Sequence, residues 1–457
     1  MGRGMKVAAV DLRSLELGSL YRRCYTRKMY ESPRTISVVG LGYVGLTVAV
    51  AFGHKGRTIG LDADNVRIQE LVSGYDRRMQ CSQRELEATD VYFTSDPRYL
   101  SHADFHIVAV PTPIDDNRQP DMSFVRQASI TLGSYIAPGH IVVYESTVYP
   151  GATEEMCIPI LEEVSGLKAN KDFCVGYSPE RLNPGDTINR FENTSKIISG
   201  QNAECLEIIA SVYETVVTAS LHRAPTIRVA ETAKVVENVQ RDINIALMNE
   251  LSIIFNQLNI DTFDVLNAAG TKWNFYDAHP GLVGGDCISV DPHLLLYKSF
   301  EQGYLPRMIS TARQLNDGMG SYLADQAIRY VSSNGNRFEK PIVTLLGITY
   351  KEDVPDLRNT QVPKIAQKLM AEGVHVQVHD PIADANEVWK LYGLSLLPLE
   401  EVLPADQVIY AVPHSYYLAS GWNLMSKLLK ANVGSILDVG GVLNREEIPP
   451  GIELCRL

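Results

Sequence analysis

Cys287 closes a glycine-rich run, Pro280-Gly281-Leu282-Val283-Gly284-Gly285-Asp286-Cys287, and Asp291-Pro292 follows four residues later. The glycines let a ligand lie close to the backbone. A thiol at the head of a following helix would have its pKa lowered by unpaired N–H groups and become a nucleophile. The plain alternative is a buried, inert cysteine, with Asp291-Pro292 as helix cap and first-turn proline. Lys234 and Asn238, four apart, would share one helix face and reach one substrate oxygen, or else form a solvated face. In Tyr177-Ser178-Pro179-Glu180-Arg181-Leu182-Asn183-Pro184-Gly185, Glu180 has the chemistry of an acid or base and Arg181 that of a phosphate or sugar ligand; a solvated proline turn is the alternative. Lys351, in Gly347-Ile348-Thr349-Tyr350-Lys351, and Arg358, in Asp356-Leu357-Arg358-Asn359, would supply cations to an anionic ligand or be surface charge.

A second constellation lies upstream. Gly40-Leu41-Gly42-Tyr43-Val44-Gly45 follows an apolar run and opens a helical pattern, and Asp62 stands twenty residues after Gly42. Such glycines let the backbone turn and approach a pyrophosphate at a helix N-terminus, and the acid accepts from a ribose hydroxyl. A carboxylate at that place repels a 2′-phosphate, so NAD is expected over NADP, although Arg67 nearby tempers this.

The elements that must hold these residues alternate. Strand patterns at 35–39, 57–61, 105–110, 141–146 and 173–177, and again at 342–346, 374–379, 407–412 and 435–439, are separated by helical ones. The expected fold class is α/β, two doubly wound Rossmann-like domains joined by a central helical segment. No second glycine fingerprint is visible in the later series. Between the two runs the longest helical pattern, 225–259, places Val236, Val239, Ile243, Ala246, Leu247, Leu251 and Ile254 on one side and Lys234, Asn238 and Arg241 on the other, with only Ile245 spoiling the polar stripe. This helix is expected to join the domains and to build a subunit interface. The expected division is an N-terminal extension 1–33, a dinucleotide domain 34–222, a central helical dimerisation domain 223–325 carrying the cysteine loop, and a C-terminal domain 326–457.

Composition narrows the classes. The 457 residues carry 42 Lys+Arg against 54 Asp+Glu, a net charge of −12, which argues against a nucleic-acid partner. Seven scattered cysteines show neither zinc spacing nor a secreted disulfide framework, so no metal is expected and the thiols read as reduced. The uncharged 35–53 stretch is broken by glycines and reads as strand, turn and helix rather than a membrane span. The leader is basic without a signal-peptide core, giving a cytoplasmic reading with Met29 as an alternative start.

Together these segments resemble the UDP-glucose/GDP-mannose dehydrogenase family from about Thr35 to the C-terminus. The run Ala268-Ala269-Gly270-Thr271-Lys272-Trp273-Asn274-Phe275, with the cysteine loop, Tyr144–Thr153 and Glu237–Asp242, is similar to the subgroup acting on UDP-N-acetylhexosamines. The resemblance implies NAD-dependent, four-electron oxidation of a sugar C6 alcohol of UDP-GlcNAc or UDP-GalNAc to the uronic acid, for surface polysaccharide. It implies Cys287 as the carrier of a thiohemiacetal and thioester. Lys234 and Asn238 would act on the C6 oxygen, and Glu180, Thr147 and Asp291 on water. It assigns Gly40, Gly42, Tyr43, Val44, Gly45, Asp62, Arg67, Thr112 and Thr147 to NAD. To the UDP-sugar it assigns Arg181, Leu182, Lys234, Asn238, Arg241, Gly281, Tyr350, Lys351 and Arg358, and it makes 326–457 the UDP-sugar-binding domain of a homodimer or higher oligomer. UDP-N-acetylmannosamine or UDP-glucose oxidation, or a non-catalytic nucleotide-sugar binder, are the alternatives. Three departures stand out. Val290 replaces the lysine usual in UDP-glucose enzymes, the leader is long, and Asp286 stands where histidine is common. A carboxylate there is expected to raise the thiol pKa, and so to shift the pH optimum upward or slow the second oxidation.

Overall fold

The computed structural model describes residues 34–457 apart from 116, 184, 187 and 335–339; the expected 1–33 extension and Met29 lie outside the described residues. Short, fully buried apolar runs make the first sheet's centre. Strands β1 (Ile36–Val39), β2 (Thr58–Leu61), β3 (Val91–Thr94), β4 (Phe105–Val108), β5 (Ile141–Tyr144), β6 (Cys174–Tyr177), β7 (Lys196–Gly200) and β8 (Leu221–Arg223) lie in the order β3-β2-β1-β4-β5-β6-β7-β8. Neighbouring strands are parallel except β6 and β7. The order reverses between β1 and β4, which opens a crevice above their carboxyl ends where doubly wound sheets bind ligands.

The second sheet repeats this arrangement with β9 (Ile342–Leu346), β10 (His375–His379), β11 (Gln407–Tyr410), β12 (Gly434–Asp438) and β13 (Ile452–Arg456), all parallel in the order β10-β9-β11-β12-β13. The expected two doubly wound sheets are therefore present. The absence of a second fingerprint needs qualifying. Gly40 sits at φ +91° and Gly347 at +86°, each donating its N–H to the end of the next strand, at Leu61 and His379, over 2.8 Å. Asp62 Oδ2 accepts from Leu41 N, and Asp380 Oδ2 accepts from Ile348 N, each at 2.7 Å. The turn glycine and the acid recur; the later glycines do not, because Thr349 and Glu352 stand at the positions of Gly42 and Gly45.

Thr226 caps the helix Ile227–Gln257 by accepting from Val229 N. Within one chain both sides of this helix are partly buried. Lys234, Asn238 and Asp242 are buried, while Val236, Leu247 and Ile254 are 49%, 48% and 45% exposed. The polar residues turn inward because the helices Asp291–Glu301 and Arg307–Asn334 and the cysteine loop offer them partners. Val239 and Ala246 are buried as expected; the rest of the apolar side is left partly uncovered.

Candidate active site

The glycine loop fits a dinucleotide. At Gly40 a Cβ would stand 2.8 Å from the Ala109 carbonyl oxygen, so no side chain fits the turn. Gly42 is the N-cap of the helix Tyr43–Gly53 with no side-chain cap, and that helix has no acid in its first turn. A Cβ on Gly42 would meet only Arg78, at 3.8 Å, so the backbone there is open to an anion. Val44 is half-buried against the core behind this loop. Thr112 follows β4 and Thr147 follows β5, both half-buried on the crevice side of the sheet. Arg67 is not free to meet a 2′-phosphate: it is buried, its Nε donates to Leu41 O over 3.0 Å, and it pairs with Asp76 at 2.8 Å. It braces the loop from below.

A cleft between the two sheets is lined by Arg181, Leu182, Lys234, Asn238, Arg241, Cys287, Tyr350 and Lys351. Eight residues scattered over 171 positions of sequence thus face one space. Lys351 Nζ crosses it to donate to Asn183 Oδ1 at 3.1 Å. Arg181 is held by Glu237 at 2.8 Å and by the Ser195 carbonyl. Arg241 is exposed and has no ion-pair partner among the described residues.

The floor of the cleft is a buried charge cluster. Asn238 Nδ2 donates to Asp291 Oδ2 at 2.5 Å, and Glu180 accepts from Leu182 N. Lys234 and Asn238 are both only 5% exposed, which removes the solvated-face reading. Burial opposes the Lys234 charge, but Cys287, Glu180, Asp291 and Glu237 outweigh it and raise its pKa, so it stays an ammonium. Burial raises Glu180, against Lys234, and pushes Asp291 up to about 7, against Lys234 and the Asn238 bond. A carboxyl poised near neutrality beside a fixed cation suits proton transfer.

Two expectations about the thiol loop need correction, and a third holds in direction. The helix after Cys287 starts only at Asp291, with Val290 as its N-cap, so the thiol is not at a helix head. Asp291 does not cap that helix; its carboxylate turns to Asn238. The thiol is pushed up to about 11, first by burial, opposed by Lys234, and raised further by Asp291, Glu180 and, least of the three carboxylates, Asp286. Asp286 thus raises the thiol as expected, behind burial, Asp291 and Glu180, and it is itself paired: Arg358 Nη1 donates to its Oδ2, and Asn359 Nδ2 to its Oδ1 at 3.2 Å. Arg358 is held also by Asp356 and lies 6.0 Å from the Tyr43 ring centroid. It ties the thiol loop to the C-terminal sheet beside the glycine loop and does not line the cleft. Asp286→Asn is therefore expected to lower the thiol pKa by less than removal of Asp291 or Glu180 would, and also to loosen the loop. Thiol alkylation against pH, beside KM for the nucleotide sugar, checks this; a fall in thiol pKa larger than that in Asp291→Asn would contradict it.

The loop has a second brace that sequence reading did not find. Gly281 donates to Asn249 Oδ1 at 2.8 Å and accepts from Asn249 Nδ2 at 3.1 Å, so Gly281 is clamped below the cleft and does not line it. Asn249 Nδ2 also donates to Asn316 Oδ1, and Asn316 Nδ2 to Asp242 Oδ1. Arg313, fully buried, pairs with Asp242 and donates to the Ile288 carbonyl at 3.3 Å. Both sides of Cys287 are thus fixed by two long helices. The one available signal was polar residues at buried helical spacing, Asp242 and Asn249 on one helix and Arg313 and Asn316 on the other. Lys196 was also missed; it pairs with buried Glu145 at 2.8 Å beneath the Glu180 turn.

A glycine loop at one switch point, a second nucleotide-type loop facing it and a thiol between them define a nucleotide-linked dehydrogenase. Residues 34–217 match the NAD binding domain of the UDP-glucose/GDP-mannose dehydrogenase family, 228–318 its central domain and 344–445 its UDP binding domain, and the chain belongs to this family. It is an NAD-dependent oxidoreductase. It is 50% identical over 424 residues to Protein CapL of Staphylococcus aureus, covering 93% of this chain and 100% of that protein. Its identity to the UDP-N-acetyl-D-glucosamine 6-dehydrogenase of Salmonella typhi is 48%, over 84% of this chain and 91% of that one. The solved UDP-D-ManNAc dehydrogenase of Pyrococcus horikoshii superposes with a TM-score of 0.83 at 26% identity, covering 92% and 98% of the two chains. No helix among the described residues is long and apolar enough to cross a membrane.

Proposed function

We propose that this protein oxidises the C6 hydroxyl of a UDP-N-acetylhexosamine, UDP-GlcNAc first among them, to the uronic acid, supplying an aminuronic acid for surface polysaccharide. The observation that carries the reading is Lys234, Asn238, Asp291 and Glu180 gathered in a buried cluster with Cys287 at the floor of a cation-lined cleft. The 48% identity to a UDP-GlcNAc enzyme, against 26% to a solved UDP-ManNAc one, supports the sugar. UDP-GalNAc is the second substrate to test.

NAD held at the Gly40–Gly45 loop and Asp62 would supply the hydride acceptor, a fresh NAD being needed for each of the two successive oxidations. In the first, Lys234 and Asn238 hold the C6 oxygen while its proton passes to a carboxylate of the cluster. The Cys287 sulfur then bonds to the aldehyde carbon, its own proton leaving to Asp291 or Glu180, because a thiol near 11 does not ionise unaided at neutrality. After the second oxidation the resulting thioester is cleaved by water. The C–S bond breaks, the acid leaves and the sulfur regains a proton; Glu180, Thr147 and Asp291 position or activate that water. Arg181, Leu182, Arg241, Tyr350 and Lys351 are proposed for the UDP-sugar. Arg358 and Gly281 act by placing the thiol loop.

A base near 7 gives kcat that rises with pH through neutrality, and Asp291→Asn is expected to remove that limb. The same group sets a stability slope: from its ordinary 3.8 to about 7 only the unfolded chain has lost the proton, so stability falls as pH rises through that window. A kcat profile unchanged by Asp291→Asn would remove Asp291 from proton transfer. The uncovered stripe Val236, Leu247 and Ile254 is proposed to pair with a second copy, continuing the dimerisation role of the 223–325 segment. Leu247→Glu is expected to shift the mass measured by sedimentation from two chains to one; an unchanged mass would place the interface elsewhere.

A further inference from the structure

The glycine loop is faced by a cation that neither the family match nor the fingerprint assigns. Arg78 lies on the turn between the helices Asn65–Val72 and Gln83–Glu87, and its Nη1 stands 3.8 Å from the Cβ position of Gly42, the uncapped N-terminus of the glycine-loop helix. Its guanidinium has no hydrogen bond or ion pair among the described residues; the residue as a whole keeps solvent access, while the surrounding chain partly desolvates the guanidinium end.

The reason is that every nearby carboxylate is already engaged. Asp76 accepts from Gln80 and Cys81 backbone N–H groups and pairs with Arg67. Asp356 is held by Arg358 through Nε and Nη2, and Asp286 by Arg358 Nη1. The preceding Arg77 points elsewhere, pairing with Glu70 at 2.5 Å. Burial, then Arg358 and then Arg67, lower the Arg78 pKa, with Asp356 and Asp76 opposing. A guanidinium crowded by two others, beside the open positive end of a helix and lacking an anion of its own, is a site completed by a ligand's negative charge.

We propose that Arg78 holds the pyrophosphate of the bound dinucleotide from across the glycine loop, opposite the N–H groups of the Tyr43–Gly53 helix. It rests on that loop taking NAD. The ligand chemistry is a diphosphate diester: two adjacent anionic groups, one for the helix N-terminus and one for the guanidinium fork.

The test is binding, without turnover. NADH fluorescence and calorimetry with ADP-ribose are measured on the unmodified protein, Arg78→Gln, Arg78→Lys and Arg77→Gln, each first shown to be folded by circular dichroism. Arg78→Gln is expected to raise Kd for both ligands by about ten- to a hundredfold. Arg78→Lys should recover part of that loss, and Arg77→Gln should bind as the unmodified protein does. Equal Kd for Arg78→Gln and the unmodified protein would overturn the assignment, as would a loss confined to NADPH. Failure of the unmodified protein to bind NADH is a different result and would strike at the NAD reading of the loop itself.

Discussion

Cys287→Ser is expected to abolish acid formation, lowering the full turnover on the order of 10⁴-fold or more, the scale seen when a covalent nucleophile is removed. The first oxidation does not need the sulfur, so the variant should release at most one NADH per sugar and accumulate aldehyde, trapped as a hydrazone and detected by mass. The geometry makes this a sharp prediction. The loop is clamped on both sides of residue 287, through Gly281 to Asn249 and through the Ile288 carbonyl to Arg313, so a serine oxygen would sit where the sulfur sits without its nucleophilicity. Acid produced by Cys287→Ser at the unmodified rate would exclude the covalent route.

Lys234→Met carries the second largest effect. The ammonium is the cation that opposes desolvation at Cys287, Glu180 and Asp291 alike. Without it, all three protonated forms gain, so the thiol titrates higher and Asp291 remains a neutral acid above pH 7. Loss of a positive donor at the developing alkoxide costs about 10²- to 10³-fold in kcat. The two effects compound, and the expected signature is kcat falling together with a pH optimum displaced upward. Methionine keeps the volume and removes the charge, so a merely structural role would lower the melting temperature without moving the pH optimum. Stopped-flow measurement of NADH formation at several pH values separates the two. An unshifted optimum with a small loss of kcat would remove Lys234 from the reacting atoms.

The elements were legible where the pattern was local. Strands β1, β4 and β5 are unbroken buried runs, and Gly40, Gly42 and Asp62 sit at a spacing set by one strand, one helix and the next strand. The missed strands have weaker signals: β3 lies at the sheet edge and is half exposed, β8 has three residues, β7 runs against its neighbour, and β13 carries Glu453 and Arg456. The two sides of the long helix were legible, but which polar residues are buried was not. In this protein Lys234, Asn238 and Asp242 are buried to meet partners 53 to 71 positions away. Asp286 shows the same limit. Its neighbour in sequence is Cys287, whose thiol it raises as expected, but its partner in space is Arg358, 72 residues on, and burial is the larger cause of the raised thiol. Long-range pairing of charges is what sequence spacing does not contain.

The most direct measurement is the NADH released from a limiting amount of UDP-GlcNAc, followed at the nicotinamide absorbance until the reaction stops, with UDP-GalNAc, UDP-ManNAc and UDP-glucose in parallel. Two NADH per UDP-GlcNAc, with the uronic acid recovered as product, are expected. No NADH from UDP-GlcNAc, or two per sugar from UDP-ManNAc or UDP-glucose alone, would contradict the proposed reaction.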